Sequence, residues 1–271
     1  MICINKLSFR YPDGTLALDS VDLNIRKGEF IAIVGKNGCG KSTLLRHMNG
    51  LLLPCEGSVA VKGMDTSDSS SLLKIRHTAG MVFQDPGSQF IGMTVEEDVA
   101  FGPENLGLPP EKIQFFVNRS LQDVAMLEHR NHTPRTLSGG QKQKVALASV
   151  LAMGPEIILF DEVTSMLDAS STKDILDLIK KLHKKGTTVV YVTHRLEELA
   201  YADRLVVMDK GRIIHEGNPR AILSKENPVN LGFDLPPLIE LARRLADENI
   251  IDSSLLPLSK EELREVLCQL M

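Results

Sequence analysis

The residues Gly35-Lys36-Asn37-Gly38-Cys39-Gly40-Lys41-Ser42 have the spacing G-x-x-x-x-G-K-[ST]. Glycines so placed let successive backbone N–H groups curl around phosphate oxygens, while the helix that follows presents its positive N-terminal end. Lys41 would reach the outer phosphates of a bound ATP and Ser42 would ligate Mg2+. With the next residue, the phosphate-binding set runs from Gly35 to Thr43. A second group follows the apolar run Ile157-Ile158-Leu159-Phe160, which delivers Asp161 and Glu162 to the end of a strand. Asp161 would hold Mg2+ through water. Glu162 would orient or deprotonate an attacking water, since phosphoryl transfer leaves the protein mainly positioning and charge stabilisation to do. The other reading of this pair is a strand that ends in solvated acids. A third group, Leu137-Ser138-Gly139-Gly140-Gln141, precedes a helix. Its small residues expose backbone N–H groups at the helix's positive end, which makes either a second anion site or a glycine-rich cap. One nucleotide does not need two such sites on one chain.

The elements that must position these groups are readable from hydrophobic spacing. The first 34 residues alternate apolar and polar positions, clearest in Val21-Asp22-Leu23-Asn24-Ile25, and predict a half-exposed antiparallel sheet with a turn at Pro12-Asp13-Gly14. Phe30-Ile31-Ala32-Ile33-Val34 is apolar on both faces and predicts a buried parallel strand that runs into the glycine loop, with a helix from about Lys41. Residues 57–63 read as a further short strand and 65–71 as polar surface. From Gln84 to about Leu151 the pattern is helical, with Pro103, Pro109, Pro110 and Pro134 punctuating short helices. This predicts a helical subdomain, about residues 85–152, inserted into the sheet domain. Buried strands resume at 157–160, 188–192 and 205–208, with an amphipathic helix over 175–182. The tail, 226–271, reads as a separate piece. Leu238, Ile239, Ala242 and Leu245 share one helical face, and Leu263, Val266, Leu267 and Leu270 share another after a capping box at Ser259 and Glu262. Two helices this short need a surface to pack on.

At 271 residues, 43% apolar and 24% charged, the chain has the composition of a globular protein. A net charge of -4 and a pI near 6.0 argue against a nucleic-acid partner, which calls for a clustered basic face. Cys3, Cys39, Cys55 and Cys268 form no C-x-x-C pair, and the expectation is four reduced thiols in a cytosol. The start lacks the basic stretch and apolar run of a secretory signal, so export is not expected. No window approaches the roughly 18 apolar residues that span a bilayer, and a membrane role would come through a partner.

Together the glycine loop, the carboxylate pair and the Leu-Ser-Gly-Gly-Gln string resemble the ABC-type ATPases. In that family this string is the signature that completes the partner subunit's ATP site across a dimer. The resemblance implies an α/β P-loop NTPase fold, the ABC nucleotide-binding domain, over 1–225. An antiparallel β subdomain, an inserted helical subdomain and a short helical C-terminal extension go with it. Tyr11 resembles the aromatic that stacks on adenine, although a core aromatic is the equal alternative. Gln84 resembles the Q-loop glutamine that senses Mg2+ and the attacking water. Ser165-Met166-Leu167-Asp168 resembles the D-loop, which places Asp168 at the partner's site. His194 resembles the switch histidine at the terminal phosphate. Cys39 inside the loop, and Lys144 where many members carry arginine, are departures; the first suggests sensitivity to thiol reagents.

The segment 84–102, Met166 and the string Leu231-Gly232-Phe233-Asp234-Leu235-Pro236-Pro237 are similar to the A components of energy-coupling factor (ECF) transporters. That similarity implies a second ATPase subunit and a transmembrane T component that links the pair to an S component capturing a vitamin or transition-metal ion. It also implies a peripheral place on the cytoplasmic face of the membrane. Phe90, Ile91 and Met93 would line the groove that receives the T component, or would be subdomain core. The C-terminal helices would help to hold the two ATPases together. Other ABC importers or exporters share every catalytic motif. Soluble ABC ATPases usually carry a long coiled-coil insertion or two cassettes, whereas here Lys41 and Ser138 are only 138 - 41 = 97 residues apart.

Overall fold

The computed structural model describes residues 1–225, 237–248, 250–251, 257–258 and 260–269. In chain order the elements are β1 (Ile2–Arg10), β2 (Leu16–Ile25), β3 (Phe30–Gly35), α1 (Lys41–Met48), β4 (Glu56–Val61), β5 (Met64–Asp65), α2 (Leu72–Thr78), β6 (Ala79–Val82), α3 (Val95–Asn105), α4 (Pro110–Asp123), α5 (Gly139–Ala152) and β7 (Ile157–Asp161). They continue with α6 (Ala169–Lys184), β8 (Thr188–Val192), β9 (Arg204–Asp209), β10 (Arg212–Gly217), α7 (Pro219–Lys225), α8 (Pro237–Asp247) and α9 (Lys260–Gln269).

Strands β2-β1-β4-β5 form an antiparallel sheet. The second sheet has the order β10-β9-β3-β8-β7-β6 and is parallel from β9 to β6, with β10 an antiparallel edge. The carboxyl ends of β3, β8, β7 and β6 therefore lie side by side along one edge, where nucleotides sit in open α/β sheets. Those four ends carry, respectively, the glycine loop, His194, the Asp161-Glu162 pair and Gln84.

The alternation along β3 explains its unbroken apolar sequence. Ile31 and Ile33 face a core built from the antiparallel sheet and the α1 residues Leu44, Leu45 and Met48. Ala32 and Val34 face the opposite side, where they meet Leu205, Val207, Leu223, Ile239 and Ala242. Both faces of the strand are covered, so no position tolerates a polar residue. Ile239 and Ala242 belong to α8, so the surface that this short tail helix needs is supplied by the sheet. Val266 of α9 joins the same cluster at its margin.

Of the anticipated capping box, Ser259 lies outside the described residues. The Glu262 carboxylate accepts the Leu258 N–H at 2.9 Å and an Arg220 Nη2–H at 2.8 Å. The string 231–236 and Leu270 also lie outside the described residues.

A third core holds the helical part, with Val99, Val117, Leu121, Val145 and Leu147 packed against Ile158, Phe160 and Tyr191. Pro103 departs from the expected punctuation. It sits inside α3, two residues before the helix ends, where it removes the N–H that would have bonded to the Val99 carbonyl oxygen. Pro110 instead opens α4 at its first turn, the position that suits its fixed φ.

Candidate functional site

The glycine loop is shaped by close backbone approaches. Gly35 has φ 146°, and a Cβ there would lie 2.1 Å from the Met208 carbonyl oxygen. Gly40 has φ 107°, and its Cβ would lie 2.4 Å from the Ala17 carbonyl oxygen. Only glycine fits either place. Lys36, Asn37 and Gly38 stand exposed at the tip, while Lys41 is buried at the base. Its ammonium donates to the carbonyl oxygens of Gly35 at 2.9 Å and Lys36 at 3.2 Å.

The predicted chemistry converges beside this lysine. Ser42 Oγ, in the first turn of α1, donates to Asp161 Oδ1 at 2.8 Å. Asp161 is 5% exposed, and burial pushes its carboxyl above the usual carboxylate range, against the opposing hydrogen bond from Ser42. A hydroxyl and a desolvated carboxylate are hard oxygen donors, and a buried charge of this kind is relieved by a cation; the pair fits Mg2+.

Glu162 is next in sequence but takes φ 47°, a left-handed conformation uncommon for a residue with a side chain. That turn aims the carboxylate along the sheet edge. Its Oε1 lies 3.7 Å from Lys41 Nζ and its Oε2 3.6 Å from His194 Nδ1. Gln84 Nε2 donates to Ser165 Oγ at 3.2 Å, and that hydroxyl donates to the Glu162 carbonyl oxygen at 2.8 Å. Lys41, Ser42, Asp161, Glu162 and His194 are thus brought together, and Gln84 joins them through Ser165.

Tyr11 pairs its hydroxyl with Thr43 Oγ1 at 3.0 Å, and its ring meets Phe9 edge-on with centroids 5.0 Å apart. It borders the same turn of α1 while packing into the core. Cys39 corrects an expectation. The side chain is 4% exposed, and burial pushes its thiol above the ordinary range, so the loop holds a protonated, shielded sulfur rather than a reactive thiolate.

The signature residues lie elsewhere. Ser138 caps α5: its Oγ accepts the Gln141 N–H at 3.3 Å, and Gln141 Oε1 accepts the Ser138 N–H at 3.0 Å, a reciprocal capping box. Asp168 caps α6 in a similar way. Its Oδ1 accepts the N–H groups of Ser170 and Ser171, both at 2.9 Å, and its Oδ2 accepts Ser171 Oγ–H at 2.8 Å. Ser171 in turn faces Gly140, where an added Cβ would lie 2.4 Å from its Oγ. Among the described residues, no hydrogen bond joins Ser138, Gly139, Gly140 or Gln141 to the loop 35–43. One chain therefore carries two separate glycine-rich helix starts, at α1 and at α5.

Beside the helical part lies a groove of 530 Å³ whose lining includes Phe83, Gln89, Ile91, Phe101, Val150 and Met153. Ile91 lines this groove. Phe90 packs instead against the helical core, and Met93 is 80% exposed outside the groove. Two polar residues have roles that the sequence did not assign, one of them named only within the string 165–168. Ser165 bridges Gln84 to Glu162, and Glu198 is a buried carboxylate behind His194. The place of Ser165, four residues past the end of β7, was an available signal. The pair Glu197-Glu198 looks like a solvated face.

The model of the ABC transporter family matches residues 18–165. The energy-coupling factor transporter ATP-binding protein EcfA of Methanosarcina acetivorans is 52% identical over 270 residues, covering 100% of this chain and 98% of its own length. EcfA1 of Clostridium novyi is 51% identical over 95% of this chain and 92% of its own. Among solved structures, CbiO1 from Clostridium perfringens, part of the ABC transporter complex cbiONQ, superposes with a TM-score of 0.77 at 33% identity, covering 90% of this chain and 94% of that one. The ATP-binding cassette MJ0796, in a dimeric post-hydrolysis state bound to ADP and Pi, gives 0.75 at 33% identity over 81% of this chain and 99% of that one. With the loop, the carboxylate pair and the signature all at their expected strand and helix ends, the chain belongs to the ABC transporter ATP-binding proteins, in the branch of the energy-coupling factor ATPases, and is an ATP hydrolase that serves transport.

Proposed function

We propose that two ATPase chains clamp two ATP molecules, each held between the loop 35–43 of one chain and Ser138-Gly139-Gly140-Gln141 of the other, with Asp168 and the segment 165–168 crossing the interface. The observation that carries this reading is the split of the anion-binding helix ends into two clusters on one chain, with Glu162 set between Lys41 and His194 at only one of them. In this reading Lys41 binds the outer phosphates. Glu162 takes the proton of the attacking water, and His194 contacts the terminal phosphate from the adjacent strand end. Ser42, Asp161 and Gln84 would hold Mg2+, which would offset the negative charge on the phosphates. Tyr11, at the margin of the same turn, would meet the adenine.

The chain is read as the energising subunit of an ECF importer for a vitamin or transition-metal ion. The groove bordered by Ile91 and Phe101 would take the coupling helix of a transmembrane T component, and through it the ATPases would drive an S component. Among the described residues no helix is long and apolar enough to cross a membrane, so attachment to the cytoplasmic face would come through that groove. The tail helices α8 and α9 would add to the contact between the two ATPases. Closure of the clamp on ATP and its opening after hydrolysis would move the helical part against the sheet.

The test is Glu162→Gln. The amide keeps the shape and loses the base, so ATP binding should persist while turnover falls by roughly 100-fold or more, the scale of a lost general base. Turnover at the unsubstituted rate would remove Glu162 from the chemistry.

A further inference from the structure

Behind the site lies a buried carboxylate that the chemistry above does not use. Glu198 stands on the short 3-10 segment Leu196–Tyr201, and its side chain is 2% exposed. Three hydroxyls donate to it: Thr164 Oγ1 to Oε1 at 2.7 Å, Tyr191 Oη to Oε2 at 2.9 Å, and Thr193 Oγ1 to Oε2. Burial, and then the nearby Glu198 charge, push the Tyr191 phenol well above its ordinary range, which keeps it a donor. Arg195 Nη1 approaches Oε1 to 4.0 Å and donates to Thr172 Oγ1 at 3.4 Å.

The two threonines belong to the turns that carry the chemistry. Thr164 is two residues beyond Glu162, and Thr193 immediately precedes His194. The Thr193 hydroxyl also accepts the Arg195 N–H at 3.0 Å, so it brackets His194 from both sides. These turns are also tied by the Glu162 N–H to the Val192 carbonyl oxygen at 3.1 Å and by the approach of Glu162 Oε2 to His194 Nδ1 at 3.6 Å. Apolar packing would bury the same volume without the cost of desolvating a carboxylate. What the hydroxyl–carboxylate cluster adds is direction, since hydrogen bonds fix the rotation of a turn and dispersion contacts do not.

We propose that Glu198 is a positioning residue for ATP hydrolysis: through Thr193 it sets the turn of His194, and through Thr164 it sets that turn against the one carrying Glu162. The inference rests on the roles given above to Glu162 and His194. Its readouts are steady-state ATPase kinetics and the imidazole NMR signals of the full chain, compared for Glu198→Gln and Thr193→Val. The expected result is a kcat lower by roughly 10- to 100-fold, the range for a displaced catalytic group, with KM within about twofold. The His194 resonances should move while those of His129 and His132, which lie beside the signature, stay in place. An unchanged kcat, a loss expressed only in KM, unmoved His194 signals, or a general shift of all histidines would each overturn the proposal. If Glu198→Gln does not fold, Thr193→Val, which removes one hydroxyl, decides by the same criteria. Failure of both to fold would make the cluster an element of the fold alone. Full turnover in Glu162→Gln, with His194 signals still moved by Glu198→Gln, would instead count against the roles assigned to the site.

Discussion

Asp161 and Glu162 are chain neighbours in opposite settings. The strand end buries the first, and the left-handed turn sends the second along the sheet edge toward Lys41 and His194. Because burial raises the Asp161 pKa in the folded state, the unfolded chain gives up this proton first as pH rises. Stability from this group therefore falls between the ordinary carboxylate pKa and the raised one, and stays low above it. Asp161→Asn should accordingly raise the melting temperature of the nucleotide-free protein at neutral pH by about 2 to 4 °C, the response of a chain this size to about 1 kcal/mol. It should also abolish Mg2+-dependent hydrolysis. A lower melting temperature would show that the carboxylate is not the burden its burial implies. The loop and the Asp161-Glu162 pair were legible because each follows an apolar run long enough to read as a strand, and Gln84 and His194 through the resemblance to the ABC-type ATPases. Glu198 was not, since its burial depends on hydroxyls 5, 7 and 34 residues away that no local spacing reveals.

Elements turn that spacing into geometry, and the signature shows how much of it is stability and how much is function. The glycine-rich cap, one of the two readings the sequence left open, is present: the capping box satisfies Ser138 and Gln141 and leaves the glycine N–H groups at the helix end, where the proposed anion would bind. The two glycines then separate the roles. A Cβ at Gly139 would meet only Leu167 Cδ2 at 3.8 Å, whereas one at Gly140 would lie 2.4 Å from Ser171 Oγ and 2.7 Å from its Cβ. Gly139→Ala should keep or raise stability in a denaturant titration, by up to about 1 kcal/mol, because alanine suits a helix better than glycine. Gly140→Ala should lose about 1 to 3 kcal/mol, as overpacking pushes α5 off the cap of α6. Both should slow ATP turnover. Equal stabilities would contradict the packing described for Ser171. Helix–helix approach of this kind has no sequence signal beyond the glycine itself, just as the inward turn of Phe90 had none.

At the scale of the molecule, the parallel sheet gathers the loop, the carboxylates, Gln84 and His194 on one edge and leaves the signature at the head of α5, where Ser138 and Gln141 bond to each other and Gln141 to His129. The sequence carries two glycine-rich helix starts on one chain, more than one nucleotide uses. The docking of α8 on the sheet was not legible there, since an amphipathic helix declares an apolar face but not its partner. A site shared between chains has a consequence that no single-chain site can imitate. Lys41→Ala disables the loop and leaves the signature intact, while Gly139→Asp sets a carboxylate in the anion site and leaves the loop intact. Each chain alone should be inactive. Mixed in equal amounts and allowed to exchange, half of the dimers contain one of each, and one of their two sites pairs a sound loop with a sound signature. For a symmetric dimer with independent sites, the mixture should recover about a quarter of the unsubstituted ATPase rate. A lower figure would mean that the two sites must fire together, and the deficit would measure that dependence. If activity stays at the level of the separate variants even though mixed dimers are seen by mass spectrometry, and a Lys41→Ala chain paired with an unsubstituted one is also silent, both sites must be intact for either to turn over. A silent mixture in which mixed dimers are seen, with about half of the activity kept by Lys41→Ala paired with an unsubstituted chain, would place a complete site within one chain and refute the shared arrangement.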